Sequence, residues 1–150
     1  MIVVELANTT MASSRCVFCR IVNKEENTEI LYEDDTVIAF RDIKPATMHH
    51  YLVIPKVHVD NPKTLTSEHR DLIKHLFEIA KLVLRQQECE SSEDTTKFGY
   101  HWPPFNAINH LHLHAIGNTE QMGFVQKGIF MYNSPWFVSH QWLVKRLESS

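Results

Sequence analysis

Three histidines spaced two apart, in His110-Leu-His-Leu-His-Ala-Ile116, constrain this chain more than any other feature. A β-strand sends successive side chains to opposite faces, so His110, His112 and His114 share one face and Leu111, Leu113 and Ala115 share the other. The apolar face enters a core. The other face presents three imidazoles on a rigid scaffold, and imidazole is the side chain that changes charge near neutral pH and that most often binds metals.

Other segments supply the core this strand needs. Glu29–Tyr32 and Val37–Phe40 read as two strands joined by an acidic turn at Glu33-Asp34-Asp35, and His50–Ile54 as a third strand stopped by Pro55. Apolar residues at Leu72, Ile73, Leu76, Phe77, Ala80 and Val83 repeat with helical spacing and predict one long amphipathic helix over 68–88. Phe98–His101 is a fourth strand ahead of Pro103-Pro104, and the aromatic tail from Gly117 ends in a closing helix over 139–147. Cys16–Val22 fits a short N-terminal helix, and residues 1–14, without apolar periodicity, read as a disordered leader. The expectation is one α+β domain over 15–150: an antiparallel sheet of about five strands, one long helix and an aromatic C-terminal extension.

Composition narrows the function. The 150 residues carry a formal charge of −3, with no basic stripe of the kind a nucleic-acid surface needs. Three cysteines make a poor disulfide framework and suit a reducing compartment. No apolar run is long enough for a bilayer, and the N-terminus lacks a signal peptide's basic start. The expected location is the cytoplasm, with the nucleus also open to so small a domain.

Three chemistries fit the imidazole face: a solvated polar strand, a metal site built on His-x-His, and nucleophilic attack on phosphorus. No carboxylate follows the last histidine before Glu120, which disfavours a catalytic metal. A neutral imidazole, held in one tautomer by its neighbours, favours the nucleophile.

The pattern His-apolar-His-apolar-His-apolar-apolar resembles the signature of the histidine triad superfamily. Cys16-Val-Phe-Cys-Arg-Ile, Phe40-Arg-Asp-Ile-Lys-Pro45 and His50-Tyr-Leu-Val-Ile-Pro-Lys-Val-His58 match the same family in the same order, so the resemblance spans 15–116. It implies an antiparallel sheet flanked by helices, a homodimer, and, by the tail, a branch that hydrolyses adenosine 5′-monophosphoramidates without a cofactor. It implies that His112 is the nucleophile, that His114 hydrogen-bonds the phosphate and that His50 orients His114. It places Asp42 on the ribose hydroxyls, Val17, Phe18, Ile21, Phe40 and Ile43 around the purine, and Asn106 as a remaining donor near the phosphate. Some relatives bind a structural zinc through positions matching Cys16, Cys19, His58 and His110. One departure stands out: Phe105, Asn106 and Ala107 replace a Gly-Gln-Ser-type stretch, so a hydroxyl on the leaving-group side is missing. Two rivals stay open, a deadenylase acting on DNA ends and a nucleotide-binding scaffold with residual catalysis.

Overall fold

The computed structural model describes residues 15–149, so the expected leader over 1–14 lies outside the described residues. The first elements are α1 (Val17–Val22), β1 (Ile30–Glu33), β2 (Val37–Arg41) and β3 (His50–Pro55). Asp34 makes the β1–β2 turn: its Oδ1 accepts the N–H groups of Thr36 and Val37 at 2.8 and 2.9 Å. That is the Asx geometry expected of an aspartate between two strands.

The chain continues through α2 (Arg70–Gln86), β4 (Lys97–His101), β5 (Leu113–Ile116), α3 (Phe124–Ile129), β6 (Phe137–Ser139) and α4 (His140–Glu148). All strand pairs are antiparallel, in the order β1-β2-β3-β5-β4-β6. The sheet thus has six strands where the sequence suggests about five. The sixth, β6, comes from the aromatic tail and pairs with β4; at three residues it is too short to show a period of its own.

The period-two pattern sorts the sheet into two faces. Val37, Ala39, Tyr51, Val53, Leu113 and Ala115 pack against the buried stripe of α2, including Ile73, Leu76, Ala80 and Val83, and against Leu143 and Leu147 of α4. The opposite face carries His50 and His114, with Leu52, Ile54, Ile38 and Phe40 packed under Phe18 and Ile21 of α1. Burying the first face supplies most of the driving force, at about 25 cal/mol per Å² of apolar surface. The two longer helices, α2 and α4, therefore cover the first face, and the second carries α1 beside the histidines.

The strand expected over His110–Ile116 is shorter, starting at Leu113. Its ladder stops because the Pro55 carbonyl at the end of β3 accepts His110 Nε2 at 3.0 Å instead of a backbone N–H. The chain from His110 to His112 nonetheless stays pinned, since Leu111 N–H donates to the Val59 carbonyl at 2.7 Å. Among the described residues, no helix is long and apolar enough to cross a membrane.

Candidate active site

In β5, His114 lies opposite Leu52 of β3, and His50 lies opposite Ile116. Their rings meet on the histidine face: His50 Nε2 is 2.9 Å from His114 Nδ1. The Ala46 N–H donates to His50 Nδ1 at 2.9 Å, so neutral His50 carries its proton on Nε2 and donates it to His114. The Asp42 carboxylate shares that donor, with Oδ2 3.2 Å from His50 Nε2, while its Oδ1 accepts Lys44 N–H at 2.9 Å. Burial raises the Asp42 carboxyl above its ordinary value, against the Lys44 N–H bond.

His112 stands 5.0 Å from His114 between ring centroids, and Phe18 meets it edge-on at 5.2 Å. Its Nδ1 lies 2.7 Å from the His110 carbonyl, which can only accept. Nδ1 therefore carries the proton, and Nε2 keeps its lone pair. Burial lowers His112 to about 4, only partly opposed by the bond to the His110 carbonyl. Burial likewise lowers His50 to about 3 and holds His114 well below its usual value, with charge on neighbouring imidazoles adding in both cases. A buried imidazole resists protonation because the charged form loses its hydration.

His110 turns away from this group. Its Nδ1 is 3.3 Å from Cys16 Sγ and 3.6 Å from Cys19 Sγ, and His58 Nδ1 is 3.3 Å from Cys19 Sγ. The four atoms all lie within 4.8 Å of one another. A tetrahedron with zinc–sulfur and zinc–nitrogen bonds of ordinary length has an S···N edge of about 3.5 Å, so the donors fit zinc. Both ring orientations fit as well. His110 Nε2 donates to the Pro55 carbonyl and His58 Nε2 to Asp60 Oδ1 at 2.9 Å, which leaves each Nδ1 lone pair aimed at the thiols. Burial, with Cys16 beside it, raises the Cys19 thiol to about 11, and a cation between the pair is what would hold both as thiolates.

Asp42, His50 and His114 also gather within 4.8 Å. They do not suit a metal, because the Ala46 N–H occupies His50 Nδ1 and so puts a proton on the nitrogen that would have to ligate.

His112, with Nδ1 held by the His110 carbonyl, thus stands beside the hydrogen-bonded pair His114 and His50. Residues 15–129 match the family described as "Scavenger mRNA decapping enzyme C-term binding". The chain belongs to the histidine triad superfamily. Adenosine 5'-monophosphoramidase HINT3 of Xenopus tropicalis is 45% identical over 136 residues, covering 90% of this chain and 88% of that protein. The 14 kDa zinc-binding protein of Zea mays is 32% identical over 120 residues, covering 77% of this chain and 91% of that one. Among solved structures, a HIT family hydrolase from Clostridium thermocellum superposes with a TM-score of 0.63 at 31% identity, covering 69% of this chain and 90% of that one.

Against the superfamily's nucleotide pattern, Phe18, Ile21 and Phe40 form a buried apolar cluster with Val17 at its margin, next to His112. Ile43, expected in the same slot, stands 93% exposed outside that cluster. Asn106 turns onto its own loop, its Nδ2 donating to the Ile108 carbonyl at 3.4 Å. His49, neighbour of His50, points to the other face and meets Tyr51 Oη at 2.7 Å. The residue that sequence reasoning missed is His101. It lies at the end of β4 with Nδ1 3.3 Å from His114 Nε2, and its only sequence signal is a histidine closing a strand.

Proposed function

We propose that this chain is an adenosine 5′-monophosphoramidase working through a covalent nucleotidyl-histidine. The observation that carries the reading is the bond from His112 Nδ1 to the His110 carbonyl, which leaves the Nε2 lone pair free beside His114. The 45% identity to a protein named for that activity supports the substrate.

The chemistry runs in two displacements. His112 Nε2 attacks the α-phosphorus and a P–N bond breaks. The departing nitrogen takes a proton from His114 Nε2 and leaves as an amine, while the His50 Nε2 proton shifts toward His114 Nδ1, so that the negative charge left on this pair offsets the positive charge of the adduct. The nucleotidyl-imidazole carries a positive charge that the His110 carbonyl stabilises through Nδ1–H. Water then attacks phosphorus, giving its proton to His114, and AMP leaves with His112 restored. Two easier steps replace one hard one. No cofactor takes part. The test is turnover of adenosine 5′-phosphoramidate by the purified protein, with mass-spectrometric trapping of an adenylyl adduct on His112. A protein that binds AMP and turns nothing over would be the scaffold instead.

Asp42 is assigned to the ribose, and Val17, Phe18, Ile21 and Phe40 to the purine. An ionised carboxylate accepts strong bonds from a vicinal diol. Asp42→Asn is expected to weaken binding of a ribonucleotide by about tenfold and of its 2′-deoxy analogue by less, read by calorimetry. Equal losses for both sugars would remove the ribose role.

The same reading puts one structural zinc on Cys16, Cys19, His58 and His110, supported by donor distances of 3.3 to 3.6 Å and by the partners on both far ring nitrogens. That zinc would tie α1 to the segment carrying His112 and leave His110 structural. Metal analysis of protein prepared without chelators should give one zinc per chain, falling near zero in Cys19→Ser. A chelator should lower the melting temperature of wild type and leave that variant unmoved. Zinc content that survives the substitution would contradict the ligand set.

A homodimer in the cytoplasm, with access to the nucleus, completes the reading. Sedimentation velocity decides the oligomeric state.

A further inference from the structure

The hydrogen bonds through the triad do not end at His114. Its Nε2 is 3.3 Å from His101 Nδ1, and His101 Nε2 is 3.2 Å from the Ile129 carbonyl at the end of α3. The chain of contacts is therefore Ala46 N–H, His50, His114, His101, Ile129 C=O. Its two ends are backbone groups of fixed sense, since an amide N–H only donates and a carbonyl only accepts. Each neutral imidazole between them has one donor and one acceptor. Only one proton order satisfies every link: His50 protonated on Nε2, His114 on Nε2 and His101 on Nε2. Reversing any ring sets two N–H groups, or two lone pairs, against each other.

We propose that His101 is a positioning residue for the triad, accepting the His114 Nε2–H and so holding that ring and its proton in place, with the C-terminal segment locking His101 through the Ile129 carbonyl. The inference rests on the reading that His114 acts beside His112, and adds a residue and a reason for the aromatic tail. Packing fixes the His101 ring between Phe130 at 5.2 Å and Phe137 at 4.9 Å. Gly99, opposite His114, makes room for that arrangement: a Cβ there would meet the Phe137 ring at 2.6 Å.

His101 also borders a cavity of about 700 Å³ lined by Phe105, Val125, Ile129, Met131 and Trp136, with Lys127 at its wall. It stands between that cavity and His114. In the resting chain His101 receives the His114 Nε2 proton. When a substrate is bound, the departing nitrogen takes the place of His101 as the acceptor, so the proton is already on the atom that must give it up. Such preorganisation removes a tautomer change from the reaction path.

The experiment is imidazole ¹⁵N–¹H correlation spectroscopy of the full chain, with kcat and KM for adenosine 5′-phosphoramidate, in wild type, His101→Phe and His101→Asn. Phe keeps a ring and removes the acceptor; Asn keeps an acceptor oxygen near the place of Nδ1. Wild-type His114 should show a single Nε2–H tautomer whose proton is hydrogen-bonded and exchanges slowly; in H101F that proton should exchange rapidly with water, and in H101N it should be protected again. The kcat of H101F should fall about tenfold to a hundredfold, the low end of what proton transfer by a side chain contributes, with KM little changed. H101N should recover most of that loss. A wild-type His114 protonated on Nδ1, or an H101F protein with unaltered protection of the His114 Nε2–H and unaltered kcat, overturns the proposal, as do equal losses in both variants. If wild type shows no turnover, the phosphoramidase reading fails, and the spectra still decide what His101 does.

Discussion

His112→Ala is expected to lower kcat by at least about 10⁴-fold on an adenosine phosphoramidate, because it removes the nucleophile and with it both displacements. No other imidazole can replace it. His114 Nδ1 is taken by His50 and its Nε2 carries the proton, while His110 directs its Nδ1 at the two thiols. AMP affinity should change less than about tenfold, since the apolar cluster of Phe18, Ile21 and Phe40 and the Asp42 carboxylate remain. The cost to the fold is small as well: one hydrogen bond to the His110 carbonyl, worth about 1 kcal/mol, and an edge contact with Phe18. Turnover, AMP calorimetry and a melting curve on the same preparation separate these effects. Wild-type turnover in the variant, or an adenylyl adduct that persists elsewhere on the chain, would assign the nucleophile to another residue.

The second large effect is on pH. Burial lowers His50 to about 3 and His110, His112 and His140 to about 4, and it lowers His101 and His114 as well. In the unfolded chain each would titrate near 6.5. Below about pH 6.5 the unfolded chain therefore takes up protons that the folded chain refuses. Stability from these groups is fully present above that value and is lost as pH falls through the folded values near 4. Each such histidine contributes a slope of up to about 1.4 kcal/mol per pH unit, so several together make a steep loss. The melting temperature should be flat above pH 7 and fall sharply between about 6.5 and 4. Over the same range kcat should stay level down to about pH 5, because His50 and His112 in the folded protein remain neutral there. The acid limb, once reached, belongs to the interacting set and not to one ring. Denaturant titrations at a series of pH values, with kcat measured on the folded fraction, test both halves. A kcat limb centred near 6.5 in a protein still folded would mean that the reacting histidine is solvated.

Much of the scaffold was legible because it is written in local periods. The alternation from His110 to Ile116 placed Leu111, Leu113 and Ala115 in the core, and all three are buried there. The helical stripe from Leu72 to Val83 and the acidic turn at Asp34 need only a few neighbouring residues to be recognised. The ordered motifs around Cys16, Phe40, His50 and His110 carried the family. Local pattern overreached where a long-range partner intervened. The ladder ends at Leu113 because the Pro55 carbonyl binds a side chain, and β6 exists only because β4 offers it an edge.

The tertiary structure decided which histidines work together and in which proton state. His101 joins His114 across 13 residues, and nothing in the residues around it announces that contact. The tautomers follow from four backbone groups, the Ala46 N–H and the carbonyls of Pro55, His110 and Ile129, two of them, Pro55 and Ile129, far along the chain from the rings they fix. The sequence alone places the histidine titration in its ordinary range near neutral pH, whereas burial in the folded chain moves it toward pH 4. Composition and spacing therefore determined that this chain would carry a row of imidazoles on a sheet. Their protonation, orientation and division into two groups, one beside the thiols and one around His114, were set by desolvation and by fixed backbone donors and acceptors, which exist only once the strands have packed.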